Sequence, residues 1–217
     1  MISILYLYPD LLNLYGDVGN ITILKHYLKS NNIKFKIDEV YIEDDIDFKK
    51  YDLIYIGSGT KDNLNIVYNH IKKYKEDIRK SIDNNKFFLV TGNALDLFTK
   101  NYLDIFDLNI INKDTRYVKE LFLKSYYTKN NVIGLINRDG LIINDKNPLF
   151  GKDGIKYKNF YGTSLIGPVL IKNPEFFTYF IKELTNNKKI KLDLNLSNLA
   201  YNEFIKFKEN KKNKFKE

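Results

Sequence analysis

Asp52-Leu53-Ile54-Tyr55-Ile56-Gly57-Ser58-Gly59-Thr60 is the stretch on which the fold turns. Leu53–Ile56 is a short unbroken apolar run, the pattern of a strand buried on both faces. Gly57-Ser58-Gly59 ends it in a loop. Beyond that loop Leu64, Val67, Ile71, Tyr74 and Ile78 recur at helical spacing, which predicts one continuous helix with an apolar stripe. The same unit recurs on either side. Upstream, Ile2–Tyr8 reads as a buried strand, Gly19–Ser30 as a helix carrying Ile21, Leu24 and Leu28, and Phe35–Val40 as an alternating strand. Downstream, Lys86–Val90 is a strand that leads through Thr91-Gly92-Asn93 into a short helix. Strands alternating with helices predict an α/β fold: a central, mostly parallel sheet with right-handed crossovers and helices on both faces.

The second half is richer in strands, expected at Ile105–Asn112, Tyr117–Ser125, Val132–Asn137, Leu141–Asn144 and Ile155–Phe160. Pro174 suits the first turn of a helix capped by Asn173, with Phe176, Phe177, Phe180 and Leu184 facing inward. A last helix from about Asp193 would pack through Leu196, Leu199, Phe204 and Phe207. No repeat, Pro/Gly-rich linker or second core interrupts the chain. Residues 1–207 therefore read as one domain, and 208–217 as a charged tail that frays.

The 217 residues are 44% hydrophobic and 29% charged, which excludes wholesale disorder. Cysteine is absent, so disulfides, thiolate metal sites and a cysteine nucleophile are all excluded. No apolar run approaches the ~20 residues that cross a bilayer. The N-terminus has neither a basic segment nor a cleavage site, so the expectation is a cytoplasmic protein with no membrane partner. The formal charge is +8, but only Arg79, Arg116 and Arg138 are arginines and the lysines are scattered, a mix that adenine-rich codons yield. Phosphate-backbone binders cluster their charge and favour arginine forks, which argues against a nucleic-acid partner. Polyanion binding by the lysine-rich end is the weakest alternative. No metal-ligand cluster and no dinucleotide fingerprint occurs, so neither metal nor cofactor is expected.

In such sheets ligands bind beyond the carboxyl ends of the strands. Three loops qualify: Pro9–Asn20, which carries Asp10, Asn13, Tyr15, Asp17 and Asn20; Gly57–Asn63; and Thr91–Ala94. Gly16-Asp17-Val18-Gly19-Asn20 could cradle an anion at a helix N-terminus. The simpler reading has Asp17 capping that helix.

Three segments carry a more specific signal: Leu7 to Ile21 with its Tyr15-Gly16-Asp17-Val18-Gly19-Asn20 core, Leu89-Val90-Thr91-Gly92-Asn93, and Gly154 to Pro174. Together they resemble the glutaminase subunits of lipid II isoglutaminyl synthases, within the cobyric-acid-synthase-like (CobB/CobQ-like) class I glutamine amidotransferases. The similarity runs from residue 1 to about 185. It implies a flavodoxin-like amidotransferase fold. In that family a Cys–His pair hydrolyses glutamine, and the ammonia passes to a Mur-ligase-like ATP-dependent partner that amidates D-glutamate in the peptidoglycan stem. The family cysteine falls on Thr91 and its histidine on Ile166. An arginine that holds glutamine falls near Leu141, with Arg138 available by a shift in register. Many relatives have arginine where Val18 stands. Gly57-Ser58-Gly59 resembles the loop that supplies an oxyanion-hole amide; the plainer reading is glycine at positive φ.

The residues themselves agree that the chemistry is gone. A nucleophile on a strand-to-helix elbow needs a base within hydrogen-bond reach. Thr91 offers a crowded secondary alcohol, and Ile166 has no lone pair. The only histidines, His26 and His70, fall on helices of the first half, where structural roles are expected. Losing nucleophile and base together removes roughly a factor of 10⁶ in rate. Leu89 and Asn93 stand where a strained elbow favours small residues, which means either a remodelled pocket or drift after catalysis was lost, and drift is the simpler. The leading expectation is thus a catalytically degenerate subunit that acts as a structural or regulatory partner of a Mur-ligase-like synthetase, its pocket built from Gly57, Ser58, Gly59, Gly92, Asn93 and Arg138. Two alternatives stay open: an active hydrolase using Thr91 with an unrecognised base, and a small-anion binding module.

Overall fold

The structure is a computed structural model that describes residues 1–186 and 189–214, with the side chains of 112–114 and 209–214 outside that description. Five strands, β1 (Ile2–Leu7), β2 (Phe35–Val40), β3 (Leu53–Ile56), β4 (Phe87–Thr91) and β8 (Phe160–Thr163), run parallel. β7 (Ile155–Tyr157) closes one edge antiparallel to β8, giving the order β2-β1-β3-β4-β8-β7. Between them lie α1 (Gly19–Ser30), α2 (Lys61–Ile71) and α3 (Lys75–Asp83). After the sheet come α4 (Val169–Lys172), α5 (Pro174–Leu184) and α6 (Asn195–Lys214).

Alternation along each strand divides the core in two. Leu5, Leu7, Ile54, Ile56, Phe88 and Val90 face α2 and α3 through Leu64, Val67, Ile71, Ile78 and Ile82. Ile4, Tyr6, Leu53, Tyr55, Leu89 and Tyr161 face α1, α4 and α5. Helices therefore cover both faces, as the sequence pattern predicts, and the strand-end loops are left free to build a site.

Several expected elements are redrawn. The helix read from Leu64 to Ile78 is broken by a tight turn at Lys72–Tyr74, because the Tyr74 hydroxyl is drawn to the Ile46 N–H (3.1 Å) and to Asp45 (3.0 Å). Ile105–Asn109 is not strand: the amides of Ile105 and Phe106 both donate to the Phe98 carbonyl, which curls the segment onto the core. The four strand fragments between 110 and 144 join into one long antiparallel ribbon, β5 (Ile110–Leu123) and β6 (Val132–Ile142), separate from the main sheet and bulged between Asn112 and Tyr117. The strand expected at Ile155–Phe160 is a hairpin, turning at Lys158 (φ +49°) so that Phe160–Thr163 enters the parallel sheet beside β4.

Asn173 does not cap α5. Its carboxamide instead bonds the Ile133 N–H and C=O and the Val169 C=O (2.8, 2.9 and 2.9 Å), tying ribbon to helix. α6 begins at Asn195 and runs through Lys214, past residue 208 where the sequence reading starts a frayed tail; residues 215–217 lie outside the described residues. It packs through Tyr201 and Phe204, the latter stacked on Phe122, while Leu196, Leu199 and Phe207 are exposed. Among the described residues no helix is long and apolar enough to cross a membrane.

Candidate functional site

A cavity of about 560 Å³ opens beyond the carboxyl ends of β3, β4 and β8, roofed by the β5–β6 ribbon. All three strand-end loops line it. Leu14 and Tyr15 follow β1, Ser58–Lys61 follow β3, Asn93 and Asp96 follow β4, and Ser164 and Ile166 follow β8. The ribbon adds Arg116 and Asn137–Gly140. Its charged lining is three cations, Lys61, Arg116 and Arg138, against the carboxylates Asp96 and Asp139.

Gly57 and Gly59 sit at the crossing of two loops, and neither has positive φ. A Cβ on Gly57 would stand 2.4 Å from the Leu12 carbonyl oxygen, and one on Gly59 would stand 2.7 Å from that of Leu11. Close backbone approach, not left-handed geometry, is what demands glycine here. The Ser58 and Gly59 amides of this loop are already bonded. Ser58 N donates to Asp17 Oδ2 (2.6 Å), and Gly59 N donates to Asn93 Oδ1 (3.0 Å) while Asn93 Nδ2 donates back to Gly59 O (2.8 Å).

Thr91 is fully buried, does not line the cavity, and continues β4 in extended geometry (φ −121°, ψ 148°). The turn is made one residue later by Gly92 (φ +64°), whose amide donates to the Leu165 carbonyl (3.0 Å). The Thr91 hydroxyl has Tyr55 OH at 3.4 Å and Asp17 Oδ2 at 3.5 Å. Ile166 does meet the turn: its Cγ2 lies 3.0 Å from where a Gly92 Cβ would be. His26 is exposed, edge-on to Tyr27, and His70 Nδ1 bonds the Tyr8 hydroxyl (2.9 Å). Neither histidine reaches the cavity.

Asp17 corrects the capping expectation. Its side chain turns away from α1 into the core and receives the Ser58 N–H and O–H, leaving Oδ1 with no hydrogen-bond partner among the described residues. Burial pushes its pKa up, against the pull of the Ser58 side chain and amide, the Gly167 amide and the Thr91 hydroxyl. Two of the loop's amides are engaged within the chain: Val18 N donates to Asn13 Oδ1 (2.8 Å) and Asn20 N to Asp17 O (3.0 Å). Asn20 is a buried tie, its Nδ2 on Tyr55 OH (3.0 Å) and its Oδ1 on Leu170 N (2.9 Å). Tyr15 holds φ +66° and accepts from Asn137 Nδ2 (3.0 Å). Asp10 is exposed and outside the cavity.

Arg138 enters the cavity wall, whereas Leu141 sits on β6 opposite Ile111 and does not line it. Arg138 is buried, paired with Asp96 (2.6 Å) and in reach of Ser164 Oγ (3.3 Å). Its Nε has no partner among the described residues. Asp153 braces the same network, receiving Thr163 Oγ1 (2.6 Å) and Ser164 N (3.1 Å). Burial raises the pKa of both Asp96 and Asp153, with Arg138 opposing it. Asp96, Asp153, Tyr55 and Ser164 escape sequence reasoning because nothing in their local spacing marks them. No group of three His, Cys, Asp or Glu side chains able to hold a metal occurs among the described residues.

The parallel sheet with its antiparallel edge, the strand-end cavity and the ribbon define a class I glutamine amidotransferase-like fold. Solved structures agree: a chain in the structure of PurLQS from Thermotoga maritima superposes with TM-score 0.59 at 14% identity over 84% of this chain and 99% of that one. A glutamine amidotransferase from the same organism does so with TM-score 0.55 at 11% identity over 93% and 89%. By sequence the chain is similar to the lipid II isoglutaminyl synthase (glutamine-hydrolyzing) subunit GatD. The Staphylococcus aureus protein is 28% identical over 87% of this chain and 86% of its own length, and the Streptococcus pneumoniae protein 26% identical over 94% and 87%. No protein-family profile matches.

Proposed function

We propose that this chain is a GatD-like subunit that does not hydrolyse glutamine and serves as a structural or regulatory partner of a Mur-ligase-like synthetase amidating D-glutamate of lipid II. The observation that carries this reading is the Asn93–Gly59 clamp. An oxyanion hole works through amides left free for the developing negative charge. Here the loop amides are bonded internally, the residue at the nucleophile position is a buried, extended threonine, and the side chain at the base position is a hydrocarbon. With no proton acceptor on Ile166, the synthetase would draw on free ammonium. Purified chain incubated with glutamine, alone and with the synthetase subunit, should release no glutamate above background. Turnover abolished by Thr91→Ala would instead establish the hydrolase reading. Co-expression with the Mur-ligase-like subunit should give one co-eluting complex; separate elution at micromolar concentration would remove the partner role.

A second reading, a small-carboxylate binding module, is favoured by the excess of one cation in the cavity lining, where Lys61, Arg116 and Arg138 stand against Asp96 and Asp139. A ligand at 100 times its Kd stabilises by about 2.7 kcal/mol, so thermal shifts with glutamate and glutamine test it directly. Unchanged melting with both would discard it.

A further inference from the structure

The lining of the strand-end cavity divides by depth. Ser58, Arg138, Ser164 and Ile166 are buried and form its floor, whereas Tyr15, Lys61, Arg116 and Asp139 are exposed and form its mouth. On the floor the charge is closed, Arg138 against Asp96. At the mouth two cations from different elements meet one carboxylate. Lys61, the first residue of α2, places Nζ 3.5 Å from Asp139 Oδ2, and Arg116 of β5 places one terminal nitrogen 3.6 Å from Asp139 Oδ1. Both separations exceed the roughly 2.7–2.9 Å of a charge-assisted hydrogen bond. Asp139 therefore bridges the cations at ion-pair range.

The two cations are positioned independently of that carboxylate. Arg116 Nε donates to Asn137 Oδ1, and Asn137 Nδ2 in turn donates to the Tyr15 hydroxyl, so the guanidinium is fixed from its far side. Lys61 is felt inside the cavity: burial raises the pKa of Asp96, and Arg138 and then Lys61 oppose it. We propose that Lys61 and Arg116 form a carboxylate subsite at the mouth, and that Asp139 is its built-in occupant, displaced when a small carboxylate enters. The class of ligand follows from the occupant, whose two oxygens each face a different cation. Exchange is cheap. Exposed ion pairs are worth little, the half-exposed Asp139 side chain returns to water, and a guanidinium already fixed loses little freedom on binding. The inference rests on the carboxylate-binding reading above, and gives it a subsite and a gate.

The test measures glutamate, glutamine and succinate binding to the full chain by calorimetry. Asp139→Asn should tighten binding about fivefold, the worth of an exposed ion pair. Arg116→Gln separates an occupied subsite from an open one. In the native chain ligand and Asp139 exchange the same partner, so the substitution should change affinity by less than about twofold; combined with Asp139→Asn it should weaken binding about fivefold. Asp62→Asn, an equal change of charge beside Lys61 but outside the cavity lining, should leave affinity unchanged. These side chains are exposed, so each variant should keep the native melting temperature. Equal losses from Arg116→Gln in both backgrounds, native affinity in Asp139→Asn, or the same gain from Asp62→Asn would each overturn the gate while the carboxylate reading survives. Binding of none of the three compounds to either the native chain or Asp139→Asn would end both.

Discussion

Asn93 holds the Gly59 peptide from both sides, accepting its N–H at 3.0 Å and donating to its C=O at 2.8 Å. One carboxamide on the loop after β4 thereby satisfies both backbone polar groups of one residue, Gly59, on the loop after β3. The amide expected to face a reacting carbonyl is a structural tie.

On the proposed reading, that tie sets the order in which glutaminase activity could be introduced. Thr91→Cys alone should release no glutamate, since neither base nor free amide accompanies the thiol. Thr91→Cys with Ile166→His should remain near background. Adding Asn93→Gly frees the Gly59 amide and should raise turnover by about 10²-fold, the worth of one oxyanion donor. Equal rates with and without the third change, measured as glutamate released, would show that the clamp is irrelevant.

Gly57→Ala should destabilise the fold. The new methyl would lie 2.4 Å from the Leu12 carbonyl oxygen, a backbone atom that cannot rotate away. Overpacking of this kind costs about 1–3 kcal/mol, and denaturant unfolding should report a loss in that range.

Arg138 and Asp96 form a buried pair with side-chain exposures of 8% and 13%. Arg138→Met leaves Asp96 without its partner and should cost about 3–5 kcal/mol, whereas joining it to Asp96→Leu should return most of the loss. Additive destabilisation in the double variant, read from chemical unfolding, would contradict this account.

Stability should fall from mild acid toward neutrality through the buried carboxyls. Asp17, Asp96 and Asp153 all have pKa values raised above the ordinary 3.8 by burial. A group that holds its proton more tightly when folded contributes its full stability below the unfolded pKa and loses it as pH rises through the folded one. Asp17→Asn keeps an acceptor for Ser58 and removes one of these titrations. Its melting temperature should vary less between pH 4 and the neutral range than that of the native chain; an unchanged slope would mean that Asp17 titrates normally.

Much of the fold was legible in the residues alone. Ile2–Leu7, Gly19–Ser30 and Phe35–Val40 were readable because periodicity reports which side of an element meets the core. The break at Lys72–Tyr74 and the fusion of the ribbon strands were not, since each depends on a partner elsewhere: Asp45 and Ile46 for Tyr74, and β6 for β5.

The same division holds at the site. Sequence by itself determined that no thiol exists and that glycines mark the loop after β3, and the family resemblance led to the expectation of Thr91 and Ile166 at the cysteine and histidine positions. Tertiary structure decided what those atoms do: Asp17 turns inward to Ser58 across 41 residues, Asn93 reaches Gly59 across 34, and Arg138 nests on Asp96 across 42. Spacing encodes neighbours on one helix or strand. Hydrogen bonds between separate loops form only once the sheet has brought the strand ends together.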